Sequence, residues 1–258
     1  MTMFRTLPVV LAVLMLSACV TETEQVFNTD TSPEQALRTR VELARRYIGE
    51  GNWADAKRNL IIAAKIDPRA PDVYEAFALV YQSTGEYELA EENFKKAISL
   101  KRPFSRARNN YAAFLYSQGR YQEAEDQLEV VIKDTLYDSR PRAFINLGLC
   151  RVRLGDPEGA RVALTRALTM DRTNRLALLE LAHVEFELGH WRSAERHLDI
   201  YKALVRRANP RALWLGVRLA HALGEENAQA SQALALRNLY PESVEFQAYE
   251  RALQRDEL

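Results

Sequence analysis

The chain has 258 residues, 47% apolar and 27% charged, enough for one large domain or a short repeat array with a buried core, and too apolar for general disorder. Lysine plus arginine and aspartate plus glutamate both number 35, so the overall balance supplies no drive toward nucleic acid or acidic lipid. Ten glycines and nine prolines are too few to punctuate an all-β chain, and two cysteines cannot form a disulfide framework, which leaves helices and an unassisted core.

Residues 1–18 have one early cation (Arg5), an apolar run from Leu7 to Leu16 and then small residues, the order of a secretory signal. Ten apolar residues are too short to span a bilayer. The run ends in Leu16-Ser17-Ala18-Cys19, which resembles the bacterial lipobox. That resemblance implies that Cys19 becomes the first residue and carries acyl chains, holding the chain to a membrane without a spanning helix. Val20, in the place where an Asp commonly retains lipoproteins at the inner membrane, favours the periplasmic face of the outer membrane in the same sense. Residues 19–36 are rich in Thr, Glu and Asp without periodicity and read as a tether. Ser32-Pro33-Glu34 gives an N-cap followed by proline at the first helical place, where order begins.

Beyond it a period of about 34 residues takes over, marked by Gly51, Gly85, Gly119, Gly155, Gly189 and Gly224. Units are expected at 37–70, 71–104, 105–138, 141–174, 175–208 and 209–242, with Ser139-Arg140 inserted before the fourth. The eighth place is always small (Ala44, Ala78, Ala112, Gly148, Ala182, Gly216), and the twenty-fourth is bulky in Leu60, Phe94, Leu128, Leu164 and Leu198, with Gln232 the exception. Two antiparallel helices approach closely where one presents a small residue and the other fills the groove. The pattern resembles the tetratricopeptide repeat, which implies an all-α superhelix of helix-turn-helix units.

The third and tenth places, which face the preceding unit in this repeat, are polar in the first unit (Thr39, Arg46) and apolar in the next four, as a terminated array requires. The sixth unit has Arg211 and Arg218 there, so either its frame is one residue off or it packs differently. Residues 243–258 are expected to form a capping helix, with Phe246, Tyr249 and Leu253 on one stripe.

No catalytic constellation stands out. His183, His190 and His197 are seven apart, about 10 Å between neighbours along a helix, too far for one metal. Cys150 sits at a stacking place and reads as a small buried hydrophobe. Neither a phosphate-cradling loop nor a nucleophile motif occurs, so no enzyme, cofactor or small-molecule substrate is indicated. The concave lining of the early units would offer Val41, Arg45, Ile48, Leu79, Gln82, Asn109 and Tyr116 to a protein segment. Units four and five present a more apolar stripe (Ile145, Leu149, Val152, Leu176, Leu179, Phe186) that either binds a partner or is covered by the chain itself.

The order Arg108-Asn109-Asn110-Tyr111-Ala112-Ala113-Phe114-Leu115, then Gly119 and Tyr121, with Tyr81-Gln82 and Gly85-Glu86 before it and Asn146-Leu147-Gly148-Leu149-Cys150 after it, resembles the type IV pilus biogenesis lipoprotein family. The resemblance implies a pilotin: an outer-membrane lipoprotein that binds the secretin subunit and promotes its localisation and multimerisation, hence pilus assembly and twitching motility. The alternative on the same scaffold is a periplasmic adaptor lipoprotein recruiting peptidoglycan hydrolases or synthases.

Overall fold

A computed structural model describes residues 32–255 and Leu258. The proposed signal at 1–18, the lipidation site Cys19 and the tether up to residue 31 lie outside the described residues. Thirteen helices follow one another, and no strand occurs among the described residues. They are α1 (Pro33–Gly49), α2 (Trp53–Ile66), α3 (Pro71–Thr84), α4 (Tyr87–Leu100), α5 (Ser105–Ser117), α6 (Tyr121–Val131), α7 (Arg140–Leu154), α8 (Pro157–Met170), α9 (Arg175–Glu187), α10 (Trp191–Ala203), α11 (Pro210–Leu223), α12 (Glu226–Leu239) and α13 (Val244–Gln254). The Ser32 hydroxyl accepts from the Gln35 backbone N–H at 3.2 Å, and α1 starts at Pro33, so helix replaces the last four residues of the expected tether.

Each odd-numbered helix from α1 to α11 pairs with the next through a turn containing a left-handed glycine. At Gly85, φ is 81°, a backbone state that a Cβ would penalise, and the Glu86 N–H returns to the Tyr81 carbonyl at 2.9 Å. Within each pair the small eighth-place residue meets the bulky twenty-fourth. Ala44, Ala78 and Ala182 are fully buried, as are Leu60, Phe94, Leu128 and Leu164. The contact is tightest in the fourth unit, where a Cβ built on Gly148 would lie 2.7 Å from the Leu164 side chain. Between pairs, Val73, Val80, Ala107, Phe114, Ala143, Cys150, Ala177 and Val184 are buried, whereas Thr39 and Arg46 on the open first unit are exposed.

The sixth unit is regular once its frame starts at Pro210. One extra residue in the turn 204–209 moves Ala212 and Leu219 to the stacking places, and both are buried. Gly216 nevertheless still faces Gln232, whose side chain a Cβ on that glycine would meet at 3.0 Å, while Ala233 and Leu236 are the buried residues of α12. Arg211 and Arg218 fall one step off the stacking stripe and reach back to carboxylates on α9. Helix α13 closes the array with Phe246 and Ala252 buried on α11 and α12 and Tyr249 edge-on to Trp214. Leu253 is 46% exposed, so the capping stripe ends on Ala252 rather than Leu253.

The close approach at Gly148 leads to a specific expectation. Gly148→Val should lower stability by about 2 kcal/mol despite its buried apolar gain, because neither Leu164 nor the α8 backbone can retreat without opening the pair. A urea titration against the parent chain measures it.

Candidate partner-binding surface

The first helices of successive units lie side by side along one face, and at its N-terminal end α1, α3 and α5 frame a groove of about 470 Å³. Leu37, Arg38, Val41 and Arg45 line it from α1, Pro71 and Asp72 from α3, and Arg106 from α5. Its floor is ionic. Glu75 on α3 is completely buried and accepts from Arg45 on one side and from Asn110 Nδ2 at 2.6 Å on the other. Arg106 pairs with Asp72 and lies 3.6 Å from Glu75, and Arg45 lies 3.7 Å from Asp72. A buried carboxylate is tolerated because these donors surround it, and their placement ties units one, two and three together.

The lining expected from sequence divides under this geometry. Val41 is 7% exposed but lines the groove wall. Arg45 is half-buried and committed to Glu75 and Asp72, which makes it part of the floor. Ile48, Leu79, Gln82 and Tyr116 are partly exposed on the same face, Tyr116 edge-on to Tyr121 at 5.1 Å. Asn109 is 3% exposed and accepts from Asn146 Nδ2 at 3.1 Å, so it is an inter-unit contact and no open docking residue. The repeat places that give Val41 and Arg45 also give Arg38, Asp72 and Arg106, which line the groove, whereas Leu37 lies off those places and joins the groove only because α1, α3 and α5 lie side by side.

The apolar stripe of units four and five is largely covered. Ile145 and Leu179 are buried, and the Arg218 guanidinium sits 4.2 Å from the Phe186 ring centre. Leu149 closes on Tyr116, Asn146 and Cys150 around a cavity of about 80 Å³. Only Val152 and Leu176 remain substantially open.

Titratable side chains in the array have structural environments. Burial pushes the Cys150 thiol up to about 12, the setting of an inert core cysteine. Burial, aided by the nearby Arg211, brings His183 down to about 4. His190 Nδ1 lies 2.7 Å from Glu185. No group of His, Cys, Asp and Glu that could hold a metal occurs among the described residues. Glu91 is held at about 2, chiefly by hydrogen bonds from Arg120 and further by Lys95 and Tyr111, against the cost of burial.

A file of helix pairs joined by left-handed glycine turns, with an open groove on the face of the first helices, defines a tetratricopeptide-repeat scaffold. Models of the tetratricopeptide repeat match residues 41–98, 75–141 and 151–213. The chain is 35% identical over 236 residues to the type IV pilus assembly protein PilF of Pseudomonas aeruginosa, covering 91% of this chain and 93% of that protein. The solved structure of that PilF superposes with a TM-score of 0.80 at 34% identity, over 85% of this chain and 98% of the other. The crystal structure of PilW, described as a widely conserved type IV pilus biogenesis factor, gives 0.74 at 26% identity, over 83% and 98%. The chain belongs to the PilF and PilW family of type IV pilus biogenesis factors. Tetratricopeptide-repeat proteins are in general scaffolds rather than enzymes.

Two measurements probe this site. Arg45→Ala should destabilise the chain by about 2 kcal/mol by stripping a donor from the buried Glu75, and adding Glu75→Gln should restore part of that loss in urea titrations. Acid stability should fall in two windows. His183 protonates more readily unfolded, so stability present above pH 6.5 declines toward pH 4; Glu91 holds its proton less readily folded, so stability present above pH 4.5 declines toward pH 2. In melting curves, His183→Leu should flatten the first decline and Glu91→Gln the second.

Proposed function

We propose that this chain is a pilotin: an outer-membrane lipoprotein, anchored through acyl chains on Cys19, that captures the type IV pilus secretin subunit and promotes its localisation and multimerisation. The observation that carries the reading is the homology to PilF across nine-tenths of the chain, on a scaffold whose N-terminal groove is open and of a size for a protein segment. In this reading anchor and capture are separate. Cys19 fixes the chain to the membrane, residues 20–31 give reach, and α1, α3 and α5 hold the partner. The groove's mixed lining, with Leu37 and Val41 among Arg38, Arg45 and Arg106 and the carboxylates Glu34, Glu42, Asp67 and Asp72, suits an amphipathic segment carrying side chains of both signs.

Division of labour is testable in one experiment. A Cys19→Ser chain should bind purified secretin subunit as well as the parent does in calorimetry, yet leave the secretin at the inner membrane on cell fractionation. Arg38→Glu, at an exposed position on the groove wall, should weaken binding about tenfold with the anchor intact. If envelope pull-down with the unlipidated chain returned a peptidoglycan hydrolase or synthase in place of secretin, the adaptor reading would replace this one.

A further inference from the structure

The neutral overall charge conceals a segregation that only the fold reveals. Because the two helices of each unit run antiparallel, every turn between units falls on one edge of the array and every turn within a unit falls on the other. From the third unit onward the between-unit edge is basic: Lys101, Arg102, Lys133, Arg142, Arg172 and Arg175 lie in these turns or in the first turn of the helix that follows, and all are exposed. None of the six makes an ion pair among the described residues; Lys101 only covers the Phe104 ring. The turn 204–209 adds the exposed Arg206 and Arg207. The carboxylates along repeats three to five are Asp134, Asp138 and Asp171, with Glu242 and Glu245 further on at the turn before α13; Asp134 is engaged by the Ser105 hydroxyl and the Leu136 N–H, and Asp171 by Thr173 and Asn174. The opposite edge is acidic, with Glu50, Glu86, Asp156 and Glu225 in its turns against Arg120 and, at the start of α10, Arg192; Arg120 is tied to Glu91 and Glu123, and Arg192 to Glu195 and Glu225.

Two more features sit on the basic edge. The longest between-unit turn, residues 132–139, holds Leu136 at 90% exposure, fixed in place by the Asp134 bond to its N–H. The described chain also begins there, since Ser32 caps the N-terminus of α1 and so lies on the side of the between-unit turns. The twelve residues 20–31 between Cys19 and this cap can span at most about 40 Å, which keeps that edge near whatever holds Cys19.

We infer that the between-unit edge of repeats three to five is a docking face for the anionic phospholipid surface of a bilayer, with Lys101, Arg102, Lys133, Arg172 and Arg175 over the headgroups and Leu136 dipping among them. The cations attract lipid phosphates at short range, the exposed leucine adds apolar burial, and the opposite acidic edge is repelled. This orientation would point the within-unit turns away from the bilayer and leave the N-terminal groove open sideways. It departs from the expectation drawn from net charge, because the sum over the chain is blind to where the charges sit. The inference rests on the lipoprotein reading only for the tether argument; the charge argument stands without it.

The test uses the whole Cys19→Ser chain, so that no acyl anchor contributes, with sedimentation against phosphatidylglycerol-containing vesicles and against phosphatidylcholine vesicles. Binding is expected to the anionic vesicles alone and to weaken at least about tenfold when salt shortens the screening length from about 30 to about 8 Å. Lys101→Glu with Arg102→Glu should cost at least about tenfold and Leu136→Asp several-fold, with melting temperature unchanged, while Glu225→Lys on the other edge should not weaken binding. Equal binding to both vesicles, indifference to the charge reversal, or retention by isolated peptidoglycan and not by vesicles would overturn the inference. An unmodified Cys19 in the mature chain, found by mass analysis, would remove the anchor reading while leaving the vesicle result to stand or fall by itself.

Discussion

The fold depends on the distance of closest approach between the two helices of a unit. That distance is set where a residue with little or no side chain faces a large one: Ala44 and Leu60, Ala78 and Phe94, Gly148 and Leu164. Once a pair is closed, each helix still shows apolar residues on its outer sides, and these are buried only by the next pair. Val73 and Val80, or Ala143 and Cys150, are therefore core residues although they stand on the outer side of their own pair. The same constraint explains the sixth unit. An extra residue before α11 would have exposed its stacking stripe, and the array absorbs it by shifting the frame so that Ala212 and Leu219 are the residues buried there.

Charge is used differently on the three kinds of surface. Between neighbouring first helices it is buried or half-buried and paired, as in Arg45, Glu75 and Arg106, or Arg211 and Glu180. Such pairs add little net stability compared with apolar packing but specify which helix face meets which. On the outer helices some pairs are solvated and local, as in Arg58 with Asp55, and others are half-buried and join units, as in Glu91 with Arg120 and Glu125 with Arg151. Along the two edges it is sorted by sign, an arrangement that the stability of the array does not require.

Much of the fold was legible in the sequence, because a stacked repeat writes the same packing rule six times and the glycine spacing exposes it. The polar residues at the open first unit, the buried Cys150 and the Ser32 cap all followed from position in that rule. What escaped was whatever depends on one particular departure from it. The frame of the sixth unit turned on one residue in a loop, and Gly216 hid the shift because it still faces Gln232, as the unshifted count expects. The lining of the groove was half legible. Periodicity correctly put Val41 and Arg45 beside the groove, but it could not tell that Asn109 is spent on Asn146, or that Arg218 roofs Phe186, since both depend on side chains from other units. Leu253 failed for a similar reason: which stripe of the cap is covered depends on how it lies on α11 and α12, and there Ala252 is buried and Leu253 is not.

Thr39 and Arg46 on the outside of the first pair, together with α13 lying across the last, have a consequence for crowding. An array of identical helix pairs with two unfinished ends would extend itself, one molecule adding to the tail of another into an open fibre. With a hydrophilic face at one end and a lid at the other, many copies can be gathered at high local density and remain individually countable.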